Sequence, residues 1–176
     1  MTDFDVIAKG MTQAVPFAGH LGLEVTRIGE GEAVARLPER VELTNHVGSQ
    51  HAGALFTVAE TASGAAFVGA FAERLADVTP LARSAEISYE RIARGPIEAT
   101  AKLGIAKDEA LATLEAEGKV EFPCEVEMVD GEGERVAVAT IDWHLRLKEQ
   151  AGGGSGAPCG SSARADWPSP ASIARP

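Results

Sequence analysis

The stretch Asn45-His46-Val47-Gly48-Ser49-Gln50-His51-Ala52-Gly53-Ala54-Leu55-Phe56-Thr57-Val58-Ala59-Glu60-Thr61-Ala62-Ser63-Gly64 decides the fold. A polar loop with one Asn, two His and one Gln runs directly into a helix of small apolar residues. From residue 52 to 72 the only ionisable side chain is Glu60. Leu55, Ala59, Ala62, Ala66 and Ala70 fall on one helical stripe, and Phe56, Glu60, Ser63, Phe67 and Phe71 on the next. Glu60 therefore projects from an apolar face, and a carboxylate there must be neutralised, paired or put to use. A helix apolar nearly all round needs protein wrapped around it.

Working outward, the flanking segments supply the wrapping. Residues 21–28 and 32–37 alternate as strands do, with Gly29-Glu30-Gly31 as the hairpin turn between them and Pro38 as a stop. Beyond the helix, Pro80 closes the connection. Residues 82–92, 97–105, 120–129 and 136–147 then read as four strands. Arg94-Gly95-Pro96 and Asp130-Gly131-Glu132-Gly133 mark turns, and Pro123 marks a bulge or an edge. Residues 107–118 fit a short helix or a strand-like connection. At the N-terminus, residues 3–15 read as an amphipathic helix through Phe4, Ile7, Met11 and Val15, ended by Pro16.

The expected fold class is α+β, a curved antiparallel sheet of five or six strands around one long central helix. One sheet covers one side of such a helix, so a second copy of the chain is the economical source of further cover. The folded domain is expected over residues 1–149. Residues 150–176, rich in Gly, Ser and Pro, read as a disordered tail in which Trp167 is a solvent-exposed aromatic.

The 176 residues carry 16 Lys and Arg against 26 Asp and Glu, a net charge of -10 that argues against a nucleic-acid partner. Residues 52–72 are long enough to span a membrane, but Glu60 near the middle, a composition mostly of Ala and Gly and the absence of basic or Trp/Tyr flanks favour a buried helix, with no membrane partner. Cys124 and Cys159 form neither a disulfide framework nor a zinc spacing. No secretory signal is visible at the N-terminus, so a cytoplasmic location is expected. Neither metal nor cofactor is expected, and His20 and His144 read as surface or packing residues.

The run Asn45-His46-x-Gly48-x-x-His51-Ala52-Gly53-Ala54-Leu55-Phe56-x-x-Ala59-Glu60 resembles the signature of hotdog-fold acyl-CoA thioesterases, in particular the phenylacetyl-CoA (PaaI-like) group and its less characterised relatives. That group has Asn, then Gly, then His-Gly-Gly-x-Leu-Phe, with an acid nine positions after the His. His51 and Glu60 have that spacing. Ala52 replaces the first Gly, and Glu60 stands where the PaaI-like group often has Asp.

The resemblance implies hydrolysis of an acyl-CoA by a homodimer or homotetramer with a shared active site. Glu60 would act across the interface as general base on water or as nucleophile. The Gly53 N–H, at the helix N-terminus, would donate to the oxyanion. Asn45 would orient the water or the thioester, and His51 would support the oxyanion geometry. Gln50, Ala52, Thr61 and Ser84 are the candidate substrate-binding positions, and Arg91, Arg94 and Lys102 the candidates for the anionic CoA. Each has a structural alternative: pairing with a buried Arg or His for Glu60, capping of the loop for Asn45, a structural loop His for His51. Two other functions share the fold, a 3-hydroxyacyl thioester dehydratase or hydratase and a non-catalytic acyl-CoA-binding module. The Pro-rich loop of the first and the partner domain of the second are not visible in the sequence.

Overall fold

The computed structural model describes Ala8, Gly10, Met11 and residues 15–148. Most of the expected 3–15 helix, the expected tail and Trp167 lie outside the described residues. The first element with defined bounds is α1, Pro16–Leu21. Pro16 thus starts a helix instead of ending one, and the first strand begins at Glu24, not at Leu21. The first helical turn has no use for the N–H that proline lacks, so proline is favoured there. Gly22 closes α1 in the left-handed conformation at φ 71°.

The remaining elements are β1 (Glu24–Ile28), β2 (Glu32–Leu37), the 3-10 turn Val41–Leu43, α2 (Ala52–Ala70), β3 (Val78–Tyr89), β4 (Ile97–Leu103), α3 (Lys107–Glu117), β5 (Lys119–Val129) and β6 (Arg135–Leu147). The ambiguous segment 107–118 is therefore a helix, with Ala110 and Leu114 buried. The six strands form one sheet in the order β1-β2-β4-β5-β6-β3, and every neighbouring pair is antiparallel.

Two prolines behave differently from expectation. Pro80 lies inside β3, paired with Leu145, so the strand begins four residues earlier than residue 82. It is tolerated because β3 is the edge of the sheet. Pro123 lies in the central strand β5 without a register shift to β6. Its carbonyl accepts the Gly104 N–H at 2.9 Å, just past the end of β4. In an antiparallel strand the N–H and C=O of one residue point the same way. The missing N–H of Pro123 thus faces the space beyond β4 and costs the β5–β6 ladder nothing.

Helix α2 lies across β2 and β4. The sheet floor beneath it is made of Ala33, Ala35, Ala99 and Ala101, all fully buried. Small residues on both sides let helix and sheet approach closely. Fifteen of the 19 helical residues are buried in the fold, so the segment with the length and apolarity of a membrane span is its core. On β5 and β6 burial alternates, one face toward α2 and one outward. In contrast, β3 is exposed on both faces along nearly all of its 12 residues.

Candidate active site

The loop before α2 is closed by its own side chains. Asn45 Oδ1 accepts the N–H groups of Val47 (3.0 Å) and Ser49 (3.1 Å), and the Asn45 N–H donates to Ser49 O. This is the loop-capping role that short Asn side chains favour. The Asn45 amide nitrogen has no partner among the described residues. Gln50 is almost fully buried. Its Nε2 donates to Pro38 O (3.1 Å) and Gly95 O (2.8 Å), and its N–H donates to Ala93 O. Gln50 thus ties the loop to both strand ends, while its Oε1 is buried without a partner. Ser49 makes a second tie that the sequence did not single out: its hydroxyl donates to Ala93 O and accepts the Ala93 N–H.

His51 is the N-cap of α2. Its Nδ1 accepts the Gly53 N–H at 3.0 Å, which places the imidazole proton on Nε2. The Gly53 N–H, expected to be a free donor, is therefore engaged. Ala54 and Leu55 donate to the His51 carbonyl. The Ala52 N–H is the helix-start donor with no acceptor among the described residues. Tyr89, the last residue of β3, donates its hydroxyl to Ala52 O at 3.2 Å. Asn45, Gln50, Ala52, Leu55, Tyr89 and Arg91 all line one cleft of about 410 Å³ at this helix start.

Glu60 lies eight residues further along α2, about 12 Å along the axis from Ala52. It is half-buried, and burial pushes its carboxyl above the usual carboxylate range. No Arg, Lys or His pairs with it among the described residues, which do not realise the buried-ion-pair alternative. Its turn is fixed by a buried chain of hydrogen bonds: Trp143 Nε1 donates to Ser63 Oγ (3.1 Å), which donates to Glu60 O (2.8 Å). Phe67 packs on the Trp143 ring with centroids 4.6 Å apart. Thr61 is buried beside Glu60 and does not line the helix-start cleft.

Two candidates fall away from the site. The register of β3 against β6 shifts between Ala82, opposite Trp143, and Ser84, opposite Asp142. Directly opposed residues share a sheet face. Trp143 faces α2, so Ala82 does too, whereas the extra residue Arg83 turns Ser84 outward. Ser84 Oγ accordingly donates to Asp142 Oδ2 at 2.6 Å, on the face away from Glu60. Lys102 lies on the same outer face and pairs with Glu32 at 3.2 Å. Arg91 and Arg94, by contrast, sit in the loop that Gln50 and Ser49 hold against the helix start. The other histidines are peripheral: His46 and His20 are exposed, and His144 Nδ1 lies 3.0 Å from Glu121 Oε1 on the outer face. Among the described residues no three His, Cys, Asp or Glu side chains converge as metal ligands.

The chain was compared with known proteins. No curated protein matches it. Among solved structures, a Pseudomonas aeruginosa protein of unknown function described as a probable thioesterase is 27% identical, with a TM-score of 0.73 over 84% of this chain and 97% of that one. The Escherichia coli PaaI protein from the phenylacetic acid degradation operon is 23% identical, with a TM-score of 0.64 over 80% of this chain and 91% of that one. A hypothetical thioesterase of Streptococcus pneumoniae, solved with coenzyme A, is 15% identical, with a TM-score of 0.61 over 81% and 98%. These likenesses bear out the expected hotdog fold and the resemblance to hotdog thioesterases. The profile of one family matches residues 5–145, and the chain belongs to that family, the domain of unknown function DUF4442.

Proposed function

We propose that the protein is an acyl-CoA thioesterase whose site is shared between two copies of the chain. The observation that carries this reading is the carboxylate of Glu60, half-buried on an apolar helix, raised above its usual range and without a partner among the described residues. A carboxylate in that state costs stability, and a raised affinity for protons suits a base that works near neutral pH.

Thioester hydrolysis needs that base together with a donor for the oxyanion. Both must converge on one acyl carbon, and the axial rise of about 12 Å together with about 80° of helix rotation between Ala52 and Glu60 of one chain favours two chains sharing the site. A second copy solves this if its Glu60 reaches the helix start of the first. The long exposed edge of β3 is the place for such pairing, because its unpaired N–H and C=O groups invite another strand. The exposed Phe56 and Tyr89 side chains extend an apolar surface beside it.

In the reaction, Glu60 either draws a proton from water as the water oxygen bonds to the acyl carbon or attacks that carbon itself. The thioester oxygen gathers charge and meets the Ala52 N–H, at the positive end of the α2 dipole. The C–S bond breaks, CoA leaves as thiolate and takes up a proton, and a carboxylic acid remains. In the nucleophilic route water then hydrolyses the mixed anhydride. The engaged Gly53 N–H has a supporting role here, holding His51 against the helix start. The Asn45 amide nitrogen, which lines the cleft and has no partner among the described residues, orients the water or the thioester carbonyl in this reading.

The test is release of CoA thiol from a panel of short, medium, long and aromatic acyl-CoAs by wild type and Glu60→Gln. The expected outcome is turnover by wild type and its loss in a variant that keeps the same secondary structure and oligomeric state. Equal turnover by the two proteins removes Glu60 from the mechanism.

A further inference from the structure

Tyr89 ends β3 and reaches across to the start of α2. Its hydroxyl donates to Ala52 O at 3.2 Å, the one hydrogen bond that joins β3 to α2 among the described residues. The strand end it stands on is firm. Tyr89 pairs with Ala137 on β6, and the next two N–H groups, of Glu90 and Arg91, both donate to Val136 O. On the other side the helix start hangs from the loop, through the Gln50 N–H to Ala93 O and the His51 N–H to Leu43 O. Tyr89 thus completes a two-sided clasp around Ala52. The Ala52 N–H has no acceptor among the described residues, and Ala52 and Tyr89 line the same cleft.

The carbonyl and the N–H of Ala52 flank one Cα whose φ and ψ the helix fixes, so holding the carbonyl holds the N–H. Building on the thioesterase reading above, we infer that Tyr89 is a positioning residue for the oxyanion: its hydroxyl acts through Ala52 O to keep the Ala52 N–H in place for the thioester oxygen. A donor held in place before charge develops need not reorganise during the reaction. The phenol suits this task. Burial raises it above the usual tyrosine range, so it stays protonated, and a donor, at the pH where an ionised Glu60 works. Its ring is 48% exposed, so removal of the hydroxyl alone leaves no buried cavity behind.

The experiment measures kcat and KM for one productive acyl-CoA in wild type, Tyr89→Phe, Ala52→Pro and the double variant. Proline deletes the donor itself and is favoured at the first helical position. His51, at φ -66° and ψ 138°, already has the extended conformation that precedes proline. Tyr89→Phe lowers kcat about five- to tenfold, the size of one neutral hydrogen bond, and leaves KM within about twofold. Ala52→Pro lowers kcat about a hundredfold or more. The double variant matches Ala52→Pro, because no N–H is left to position. Tyr89→Phe equal to wild type, or the same loss from Tyr89→Phe repeated in the Ala52→Pro background, overturns the role and leaves the thioesterase reading intact. A wild type that turns over no acyl-CoA ends both. One readout needs neither turnover nor a folded Ala52→Pro variant. Tyr89 is the only tyrosine of the chain, so tyrosinate absorbance follows its titration alone. A midpoint above the ordinary tyrosine range is expected, and a midpoint within that range shows the hydroxyl untied and refutes the inference.

Discussion

The Nδ1 atom of His51 accepts the N–H of Gly53 at 3.0 Å, so the residue that precedes α2 closes the first turn of the helix itself. The same contact explains the glycine. A Cβ at position 53 would lie 3.2 Å from Nδ1, crowding the imidazole that caps the helix. Capping side chains are worth about 1 kcal/mol each. His51→Ala is therefore expected to lower the thermal midpoint by about 2–4 °C for a chain of this size. His51→Asn, whose side chain also caps, recovers most of the loss. Thermal unfolding followed by circular dichroism checks both. If the alanine variant unfolds at the wild-type temperature, the cap contributes nothing.

Glu60 links stability to pH with a definite sign. Its carboxyl is held above the usual range by burial, so the folded chain keeps a proton that the unfolded chain has released. Stability then falls as pH rises from the ordinary carboxylate range through the raised value. Glu60→Gln removes that penalty. The variant is expected to be more stable than wild type at pH 8, with the difference shrinking toward pH 4. Urea midpoints at the two pH values measure it. In the thioesterase reading the ionised carboxylate is the working form, so the acid limb of the rate profile lies above the ordinary carboxylate range. A limb at the ordinary range, or a variant less stable than wild type at pH 8, contradicts the environment assigned to Glu60.

Much of this organisation was legible in the chain. The small-residue helix with one carboxylate, the glycine-marked hairpins and the alternating strands follow from local periodicity, and the helix-start motif pointed to its fold. The misreadings share a cause: each depends on where a segment sits in the sheet. Pro80 reads in the sequence as the close of the connection and lies within β3 in the fold, because a sequence does not show which strand is an edge. Ser84 was assigned to the site because its face depends on the register shift at Arg83, which exists only against β6. The engagement of Gly53 depends on a rotamer of His51. Lys102 was a cation candidate by charge, and its strand turns it to the outer face.

Ser84 offers a direct check on that register. Its hydroxyl bonds to Asp142 on the exposed outer face, so Ser84→Ala removes one solvent-exposed contact. The expected cost is within about 0.5 kcal/mol, with turnover of a productive acyl-CoA unchanged within about twofold. A fall of about a hundredfold, the size of losing a transition-state donor, would return Ser84 to the site and overturn the register at Arg83.

Of the glycines in α2, Gly69 is the one pressed against another stretch of backbone. A Cβ there would stand 1.9 Å from the carbonyl oxygen of Gly29 and 2.8 Å from Ile28 Cγ2. The obstacle is backbone in the β1–β2 turn, which cannot swing aside as a side chain tip does. Gly69→Ala must therefore lift the C-terminal end of α2 off the hairpin, at a cost of about 3 kcal/mol, the upper end for overpacking. Gly64 on the same helix is the internal control. A Cβ there would meet Trp143 Cζ2 at 3.7 Å, an ordinary contact distance. Replacing a helical glycine by alanine without a clash gains roughly 0.5–1 kcal/mol. Urea unfolding should thus show the two Gly→Ala changes moving the midpoint in opposite directions, with Gly64→Ala raised, Gly69→Ala lowered and the slope unchanged. If both variants are stabilised, α2 does not sit against the Gly29 carbonyl as described.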